Sequence, residues 1–264
     1  MAERKSFDRI ADVYDATRAL PADAQAAVTA GIVALLHERA SAPRVLDVGI
    51  GTGRVAVPLA AAGVRIVGVD VAPQMLARLR AKRADIGVAI ADAAALPFAV
   101  GRFDAVLFVH LLHLVSDPPA VIREAAAVVR RGGIILRGRT DHVASPLHDM
   151  VRVTDEVVNE LVDVPSPTLD RQAVANEIFG RVAAEIGATL EERTLARWAE
   201  RATAAEYLDT LARHVFSRSW SIPDAVMPDI LRRLAPRLEA LLGGLDAAVE
   251  IPASFTAIVA RLPG

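Results

Sequence analysis

An apolar stretch that runs into three glycines at alternate positions limits this chain to a small set of folds. Residues 44–49 have the pattern of a buried strand, and Gly51 and Gly53 follow Gly49. Glycine allows backbone angles and close approaches that a Cβ would forbid, so it suits a turn on which a ligand lies against the main chain. A second apolar strand ends at Asp70, whose carboxylate can accept hydrogen bonds from ribose hydroxyls. The pattern predicts a nucleotide-type cofactor site.

The spacing of these glycines separates two kinds of cofactor. A dinucleotide fingerprint, G-x-G-x-x-G, requires glycine at position 54, but the chain has Arg54 there. Its pattern is G-x-G-x-G, with Asp47 two residues ahead of the first glycine. A nicotinamide-dependent oxidoreductase is therefore disfavoured.

Strands and helices alternate along the first half of the chain. The apolar periodicity predicts strands at 44–49, 64–69, 87–91, 103–109 and 133–138, and helices at 22–40, 54–62, 73–83 and 118–130. This alternation predicts an α/β fold with a doubly wound, mostly parallel sheet covered by helices on both faces. Ligands of such sheets bind beyond the carboxyl ends of the strands, where Gly49, Asp70, Asp92 and His110 should meet.

Five ordered segments between residues 45 and 138 resemble class I S-adenosylmethionine-dependent methyltransferases. The string from Val45 to Arg54 is similar to the first motif of that family, and the strand end at Asp70 is similar to its ribose-binding motif. The other three segments are 91–98, 103–110 and 131–136. The resemblance implies a seven-stranded Rossmann-like sheet, S-adenosyl-L-methionine as the cofactor, and an enzyme that transfers the methyl group to a small-molecule acceptor by in-line displacement.

The resemblance also implies a role for each part of the motif series. Asp47 and the three glycines would hold the methionine portion of the cofactor, Asp70 the ribose, and Asp92 with Ala93 the adenine. The same site would include Val71, Met75 and Val109, with Met75 packed near the ribose or adenine.

The segment 7–18 resembles a leading helix of many small-molecule methyltransferases. In that interpretation Tyr14 and Arg18 cover the methionine end of the cofactor. The alternative is an ordinary amphipathic helix, in which Phe7, Ile10 and Tyr14 pack on the core at spacings of three and four.

Two histidines lie where the fourth strand opens into the predicted crevice. His110 or His113 is the candidate catalytic base, because an imidazole titrates near neutral pH, and it is needed only if the acceptor must lose a proton. The alternative is that His110 contacts the cofactor and His113 caps or packs in the next helix. Arg137 and Arg139 could hold an acidic substrate or pair with Asp141.

The amino-acid composition limits the kinds of substrate, metal and cellular location that we expect for this chain. A net charge of −2 gives no general attraction to polyanions, so nucleic acid is not the expected substrate. Asp117-Pro118-Pro119 is followed by Ala120 instead of the aromatic of a base-methylating signature, and a helix start is the plainer account. The absence of cysteine excludes disulfides and thiolate catalysis, and no metal is expected. The lack of a signal-peptide core and of a membrane-length apolar run predicts a cytoplasmic protein.

We expect residues 1–264 to form a single methyltransferase domain. Residues 1–40 would be an N-terminal helical cover and residues 44–140 the cofactor-binding core. Helical insertions at 141–186 and 203–243 would form a substrate lid or, alternatively, the face of a homodimer. The resemblance implies that the last two strands close the sheet as an antiparallel pair. The motif series also fits a second hypothesis, a methyltransferase-like protein that binds the cofactor as a regulatory or partner subunit.

Overall fold

A computed structural model describes residues 7, 11, 14–142, 145–162, 169–215 and 217–264. The elements are, in order, α1 Tyr14–Arg18, α2 Ala22–His37, β1 Arg44–Val48, α3 Ala56–Ala61, β2 Arg65–Asp70, α4 Pro73–Lys82, β3 Gly87–Ile90, β4 Phe103–Val109, α5 Pro118–Val128, β5 Val129–Asp141, α6 Pro146–Leu161, α7 Leu169–Glu185, β6 Thr189–Ala202, α8 Ala204–Ala212, a short 3₁₀ helix Ser217–Ser221, α9 Met227–Leu242 and β7 Val249–Arg261. Residues 8–10, 12 and 13 of the predicted leading helix, 7–18, lie outside the described residues, and the helix that the structure describes there is α1, which begins at Tyr14.

The strands form one seven-stranded sheet in the order β3-β2-β1-β4-β5-β7-β6. β1 pairs in parallel with β2 and β4, and the pairs β2–β3 and β4–β5 are also parallel. The predicted fold class is confirmed. Because the chain continues to opposite sides of β1, the carboxyl ends of β1 and β4 flank the point where strand order reverses, and ligands bind at such a point.

The sheet is buried on both faces in its centre. Every residue of β1 after Arg44 is buried, and so is β4 from Phe103 to Phe108. Continuous apolar runs of this kind are typical of parallel strands covered by helices on both sides. On one face, Phe108 shares a core cluster with Ile122 of α5 and Phe179 of α7.

β5 is longer than predicted, because two glycines that resemble a turn are absorbed within the strand. Gly132 has φ +68°, and the register between β4 and β5 shifts between Phe103 and Ala105. A Cβ on Gly133 would lie 2.7 Å from the backbone oxygen of Asp104. The strand therefore bulges at the glycine pair and extends through it from Val129, whereas the sequence predicted a start at Gly133.

The chain divides into two compact units. The first consists of the described residues up to Thr140 together with 172–196 and 255–264, and the second of the described residues in 141–171 and 197–254. This differs from the predicted insertion 141–186, since the part of α7 from Gln172 onward belongs to the first unit. The reason is packing, because Phe179, Val182 and other buried residues of α7 join the cluster around the sheet.

The second unit has a core of its own. It is built from apolar faces of α6, α8 and α9, with Met150, Leu211 and Ile230 among its buried residues. In this core the hydroxyl of Thr154 lies 2.9 Å from that of Tyr207. No helix within the described ranges is long and apolar enough to cross a membrane.

Candidate active site

The glycine loop after β1 adopts backbone angles that residues with a side chain rarely take. Gly49, Gly51 and Gly53 have φ values of +77°, +53° and +80°. A Cβ on Gly53 would lie 2.3 Å from Cδ1 of Leu79, and one on Gly49 would lie 2.9 Å from Cδ1 of Leu111. Local geometry therefore requires glycine at these predicted positions, as a loop that cradles a ligand with its main chain would.

Asp70 connects this loop to the tip of β2. Its Oδ2 accepts the backbone N–H of Gly51 at 2.9 Å, and its Oδ1 accepts that of Ala72 at 2.9 Å. Each carboxylate oxygen has two lone pairs, so both oxygens can accept a further hydrogen bond from a ribose hydroxyl. Asp70 thus shapes the loop as well as offering a binding group, and the sequence suggested only the second role.

Gly68 is a supporting residue that sequence reasoning missed. A Cβ at this position of β2 would lie 2.3 Å from Cδ1 of Ile50, a buried residue of the glycine loop. Ile50 therefore packs directly on the backbone of β2. An isolated glycine inside a strand pattern often marks such a close approach, and this signal could have identified Gly68.

Asp47 carries a buried carboxyl group, because only 3% of this residue is exposed to solvent. Burial, and after it the nearby charge of Asp70, raise the pKa of Asp47 to about 8, and no hydrogen bond from the described residues opposes that shift. A buried acid without a hydrogen-bonded partner is stabilised in its charged form only when a positive group arrives. The methionine portion of S-adenosylmethionine carries such positive charge, so Asp47 fits this cofactor.

Helix α1 is attached to the glycine loop by polar contacts. The Thr52 hydroxyl donates to the Asp15 carboxylate at 2.6 Å, and Lys82 Nζ lies 2.5 Å from the same carboxylate. The guanidinium of Arg54 donates to the carbonyl of Arg18 at 2.6 Å. The residue that breaks the dinucleotide fingerprint therefore holds α1 against the loop.

Tyr14 and Met75 belong to one small apolar cluster. Met75 is buried beside Ala11 and Ala72, and Phe7 and Tyr14 pack against them. The guanidinium of Arg18 lies 5.8 Å from the centre of the Tyr14 ring. Packing explains Tyr14 without a ligand, so its contact with the cofactor, like that of Arg18, stays a prediction.

The other predicted cofactor residues are spread along the carboxyl edge of the sheet. Val71 is 39% exposed just beyond β2, and Val109 ends β4. The Asp92 side chain accepts the N–H of Ala94 at 3.0 Å, while Ala93 is buried in the core cluster. Such a turn forms around aspartate without any ligand, so the adenine contact of Asp92 and Ala93 stays a prediction.

His110 occupies a strained position at the end of β4. Its φ is +54°, which is uncommon for a residue other than glycine. Its N–H donates to the Gly138 carbonyl at 3.1 Å, and its Nε2 lies 3.4 Å from the Thr140 hydroxyl. Burial, and after it the positive charge of Arg54 and other nearby basic groups, hold the pKa of His110 well below its usual value. His110 is therefore neutral at pH 7 and a weak base in the free protein.

His113 lies in the loop between β4 and α5. The helix cap is Asp117, whose side chain accepts the N–H of Ala120 at 3.0 Å, so the alternative in which His113 caps this helix is wrong. The Nδ1 of His113 lies 3.1 Å from Nε2 of Gln172, on α7. No sequence signal pointed to Gln172, which is 59 residues away along the chain.

The two arginines of β5 have partners on later segments of the first unit. Arg137 is 3% exposed and donates from Nη2 to Oε1 of Gln172 at 2.9 Å. Arg139 forms an ion pair with Glu192 at 3.5 Å. Arg137 is thus placed to orient Gln172.

A cavity of about 630 Å³ lies at the other edge of the sheet, at the amino ends of its central strands. Its lining includes Arg44, Val45, Val64, Arg65, Arg102 and Phe103. Ligands of open α/β sheets bind beyond the carboxyl ends, so this cavity is not part of the candidate site. Within the described ranges, no group of three or more His, Asp or Glu side chains could hold a metal ion.

Comparison with known proteins identifies a domain within the chain. Residues 46–136 match a family model described as a methyltransferase domain, and these residues contain the glycine loop, Asp70 and β4. The chain carries a class I S-adenosylmethionine-dependent methyltransferase domain. The cofactor of this methyltransferase domain is S-adenosylmethionine, as the glycine spacing and the resemblance predicted.

Curated relatives match the chain over part of their length. The chain is 34% identical over 136 residues to a demethylmenaquinone methyltransferase of Renibacterium salmoninarum, covering 52% of this chain and 57% of that protein. It is 37% identical over 106 residues to a phosphatidylethanolamine N-methyltransferase of Cereibacter sphaeroides, covering 38% and 52%. The chain thus spans only about half the length of these curated relatives.

A solved structure shows the same fold over a larger share of the chain. A putative methyltransferase from an antibiotic biosynthesis pathway of Anabaena variabilis has a TM-score of 0.60 and 18% identity, and the match covers 89% of this chain and 96% of that one. At this identity the likeness shows the fold of the chain and carries no information on the acceptor.

Proposed function

We propose that this protein transfers the methyl group of S-adenosylmethionine to a small-molecule acceptor by in-line displacement. The observation that carries the proposal is the buried Asp47 carboxyl, without a hydrogen-bonded partner in the described chain, beside the glycine loop at the carboxyl edge of the sheet. The sulfonium supplies an activated methyl group when the cofactor is bound. The tasks left to the protein are therefore alignment of the acceptor and exclusion of water.

The cofactor would lie along the loop and the two strand tips. Asp47 and the loop main chain would hold its methionine portion, and both oxygens of Asp70 would accept from the ribose hydroxyls. Asp92 and Ala93 would border the adenine, with the exposed Val71 side chain available for apolar contact. Met75 packs against the glycine loop, because its Cε lies 3.3 Å from the position that a Cβ on Gly51 would take.

The N-terminal segment would cover the methionine end of the cofactor. Arg54, Thr52 and Lys82 hold α1 on the loop through Arg18 and Asp15. Closing the site in this way would exclude water from the sulfonium and strengthen electrostatic interactions inside.

The charge of the chain supports a small-molecule acceptor, and the named relatives support the type of reaction. The net charge of −2 gives no general attraction to nucleic acid. Two matched relatives are named for methylation of demethylmenaquinone and of phosphatidylethanolamine. These two names share methyl transfer and differ in acceptor, so they support the reaction type and leave the acceptor to experiment.

The first test is calorimetric titration of the purified protein with S-adenosylhomocysteine, with NAD as the comparator. We expect stoichiometric binding of S-adenosylhomocysteine alone. Asp70→Ala should weaken this binding, whereas Asp246→Ala, an exposed aspartate of the second unit, should leave it unchanged. Binding of NAD in preference would contradict the site assignment.

The second test is transfer itself. The protein is incubated with methyl-labelled S-adenosylmethionine and fractionated small metabolites, and label is followed into new products by mass spectrometry. A labelled product that disappears with Asp70→Ala supports the enzyme. Tight cofactor binding with no labelled product from any fraction would instead favour the regulatory or partner subunit.

A further inference from the structure

His113, Gln172 and Arg137 form a chain of hydrogen bonds that joins the β4 loop, α7 and β5. Arg137 Nη2 donates to Gln172 Oε1 at 2.9 Å, and Gln172 Nε2 lies 3.1 Å from His113 Nδ1. Arg137 is 3% exposed, so its guanidinium is held in place by the surrounding protein. All three residues belong to the first unit.

The orientation of the Gln172 amide follows from the chemistry of its neighbours. A guanidinium can only donate hydrogen bonds, so the atom of Gln172 that faces Arg137 must be the carbonyl oxygen. The amide NH₂ then faces His113 and can only donate. His113 Nδ1 must therefore be the acceptor, which places the proton of the neutral ring on Nε2.

This arrangement opposes protonation of His113 at Nδ1. A second ring proton would place an N–H group against the NH₂ group of Gln172. The amide cannot turn over to relieve that conflict, because its NH₂ group would then face the Arg137 guanidinium. A buried polar network is destabilised when two donors face each other, so this pairing favours a ring whose Nδ1 carries no proton.

We propose that Gln172 is a positioning residue that keeps His113 neutral with its proton on Nε2, and that His113 donates a hydrogen bond to the methyl acceptor instead of removing its proton. The second half rests on the proposed function, whereas the state of the ring does not. The proposal replaces the general base with a donor that aligns the acceptor. A suitable acceptor then presents a hydrogen-bond-accepting atom beside the nucleophile.

The state of the ring is tested by nitrogen NMR on the full chain with labelled histidine. The two ring nitrogens of a neutral imidazole resonate far apart, and the coupling to ring protons shows which one carries hydrogen. His113→Gln assigns the signal by its loss from the spectrum of the six histidines. We expect an unprotonated Nδ1 and a protonated Nε2 at pH 7. A proton on Nδ1, or an imidazolium, would overturn the proposal whether or not the protein transfers methyl groups.

A pair of substitutions at position 172 tests whether Gln172 is responsible. Gln172→Glu offers a carboxylate that can accept from Nδ1–H, so the His113 ring should become an imidazolium or move its proton to Nδ1. Gln172→Leu removes the donor and should give a mixture of the two neutral forms. Affinity for S-adenosylhomocysteine serves as the check on folding, because Gln172 is not assigned to the cofactor. An unchanged His113 spectrum in both folded variants would refute the role of Gln172.

A pair of substitutions at position 113 separates donor from base. Glutamine keeps an N–H donor near the place of Nε2 but takes up no proton near neutral pH, whereas leucine has neither ability. We expect His113→Leu to lower kcat/KM about tenfold, the usual effect of losing one hydrogen bond, and His113→Gln to lower it less. Losses of about 10²-fold to 10⁴-fold in both variants would identify a general base and overturn the donor role. Failure of the wild-type protein to bind S-adenosylhomocysteine would instead count against the proposed function.

Discussion

Replacement of Asp47 by asparagine should remove a pH dependence of stability that the native structure builds in. The carboxyl pKa rises from its ordinary value of 3.8 to about 8 in the folded protein. Between these two values the folded state binds more protons than the unfolded state, so stability should fall as the pH rises. For a single group this slope is at most about 1.4 kcal/mol per pH unit. The asparagine side chain has a similar shape and no charge, so the stability of Asp47→Asn should not show this slope.

The measurement is the free energy of unfolding in urea at several pH values between 5 and 7.5. Over this window the stability of wild type relative to Asp47→Asn should fall by up to about 3 kcal/mol, the limit for one proton. Asp246→Asn, an exposed site in the second unit, controls for general charge effects. A constant difference between wild type and Asp47→Asn across the window would refute the reasoning, because the Asp47 pKa would then be unperturbed by folding.

The same carboxyl should link cofactor binding to proton release. A positively charged ligand beside Asp47 favours the carboxylate, so binding near pH 7 should release up to one proton. Calorimetric titrations with S-adenosylmethionine in two buffers of different ionisation enthalpy measure this number directly. Asp47→Asn should abolish the release. Equal apparent enthalpies in both buffers for wild type would show that Asp47 does not sense the ligand.

Three further expectations concern the loop and its cover. Asp70→Ala should weaken cofactor binding by about 1–3 kcal/mol, the cost of stranding polar groups, and unchanged calorimetric affinity would contradict the assignment. Gly53→Ala should lower the urea-unfolding free energy by more than Gly63→Ala, since both glycines have positive φ but only at Gly53 would the new Cβ meet a neighbour, at 2.3 Å. Equal losses of unfolding free energy in the two variants would mean that the neighbours of Gly53 move aside to accept a Cβ without strain. Asp15→Asn should weaken cofactor binding by up to about 1 kcal/mol at low salt and by less at high salt, because the lost ion pair is partly exposed; a salt-independent loss would point to a different role for Asp15.

The amino-acid sequence alone predicted the parallel part of the sheet and the residues around its carboxyl edge, although it did not predict the bulge that lengthens β5. Apolar runs, glycine spacing and the acid at a strand tip are properties of consecutive residues, so Gly49, Gly51, Gly53 and Asp70 could be predicted as site residues from their order along the chain. Backbone conformation explains why, because a turn with positive φ restricts residue type at the position where it occurs. Gly68 was within reach of the same reasoning, since a lone glycine interrupts the β2 pattern.

Only the tertiary structure decided which polar groups meet. Gln172 reaches His113 across 59 residues, and α7 joins the first unit because its buried face packs on the sheet. The raised pKa of Asp47 likewise depends on burial that the helices and the loop create together. A polar side chain takes its partner, its proton and its charge state from neighbours that folding brings close. Those neighbours are distant in sequence and leave no periodic pattern, so the pairing of His113 with Gln172 could not be predicted from the sequence.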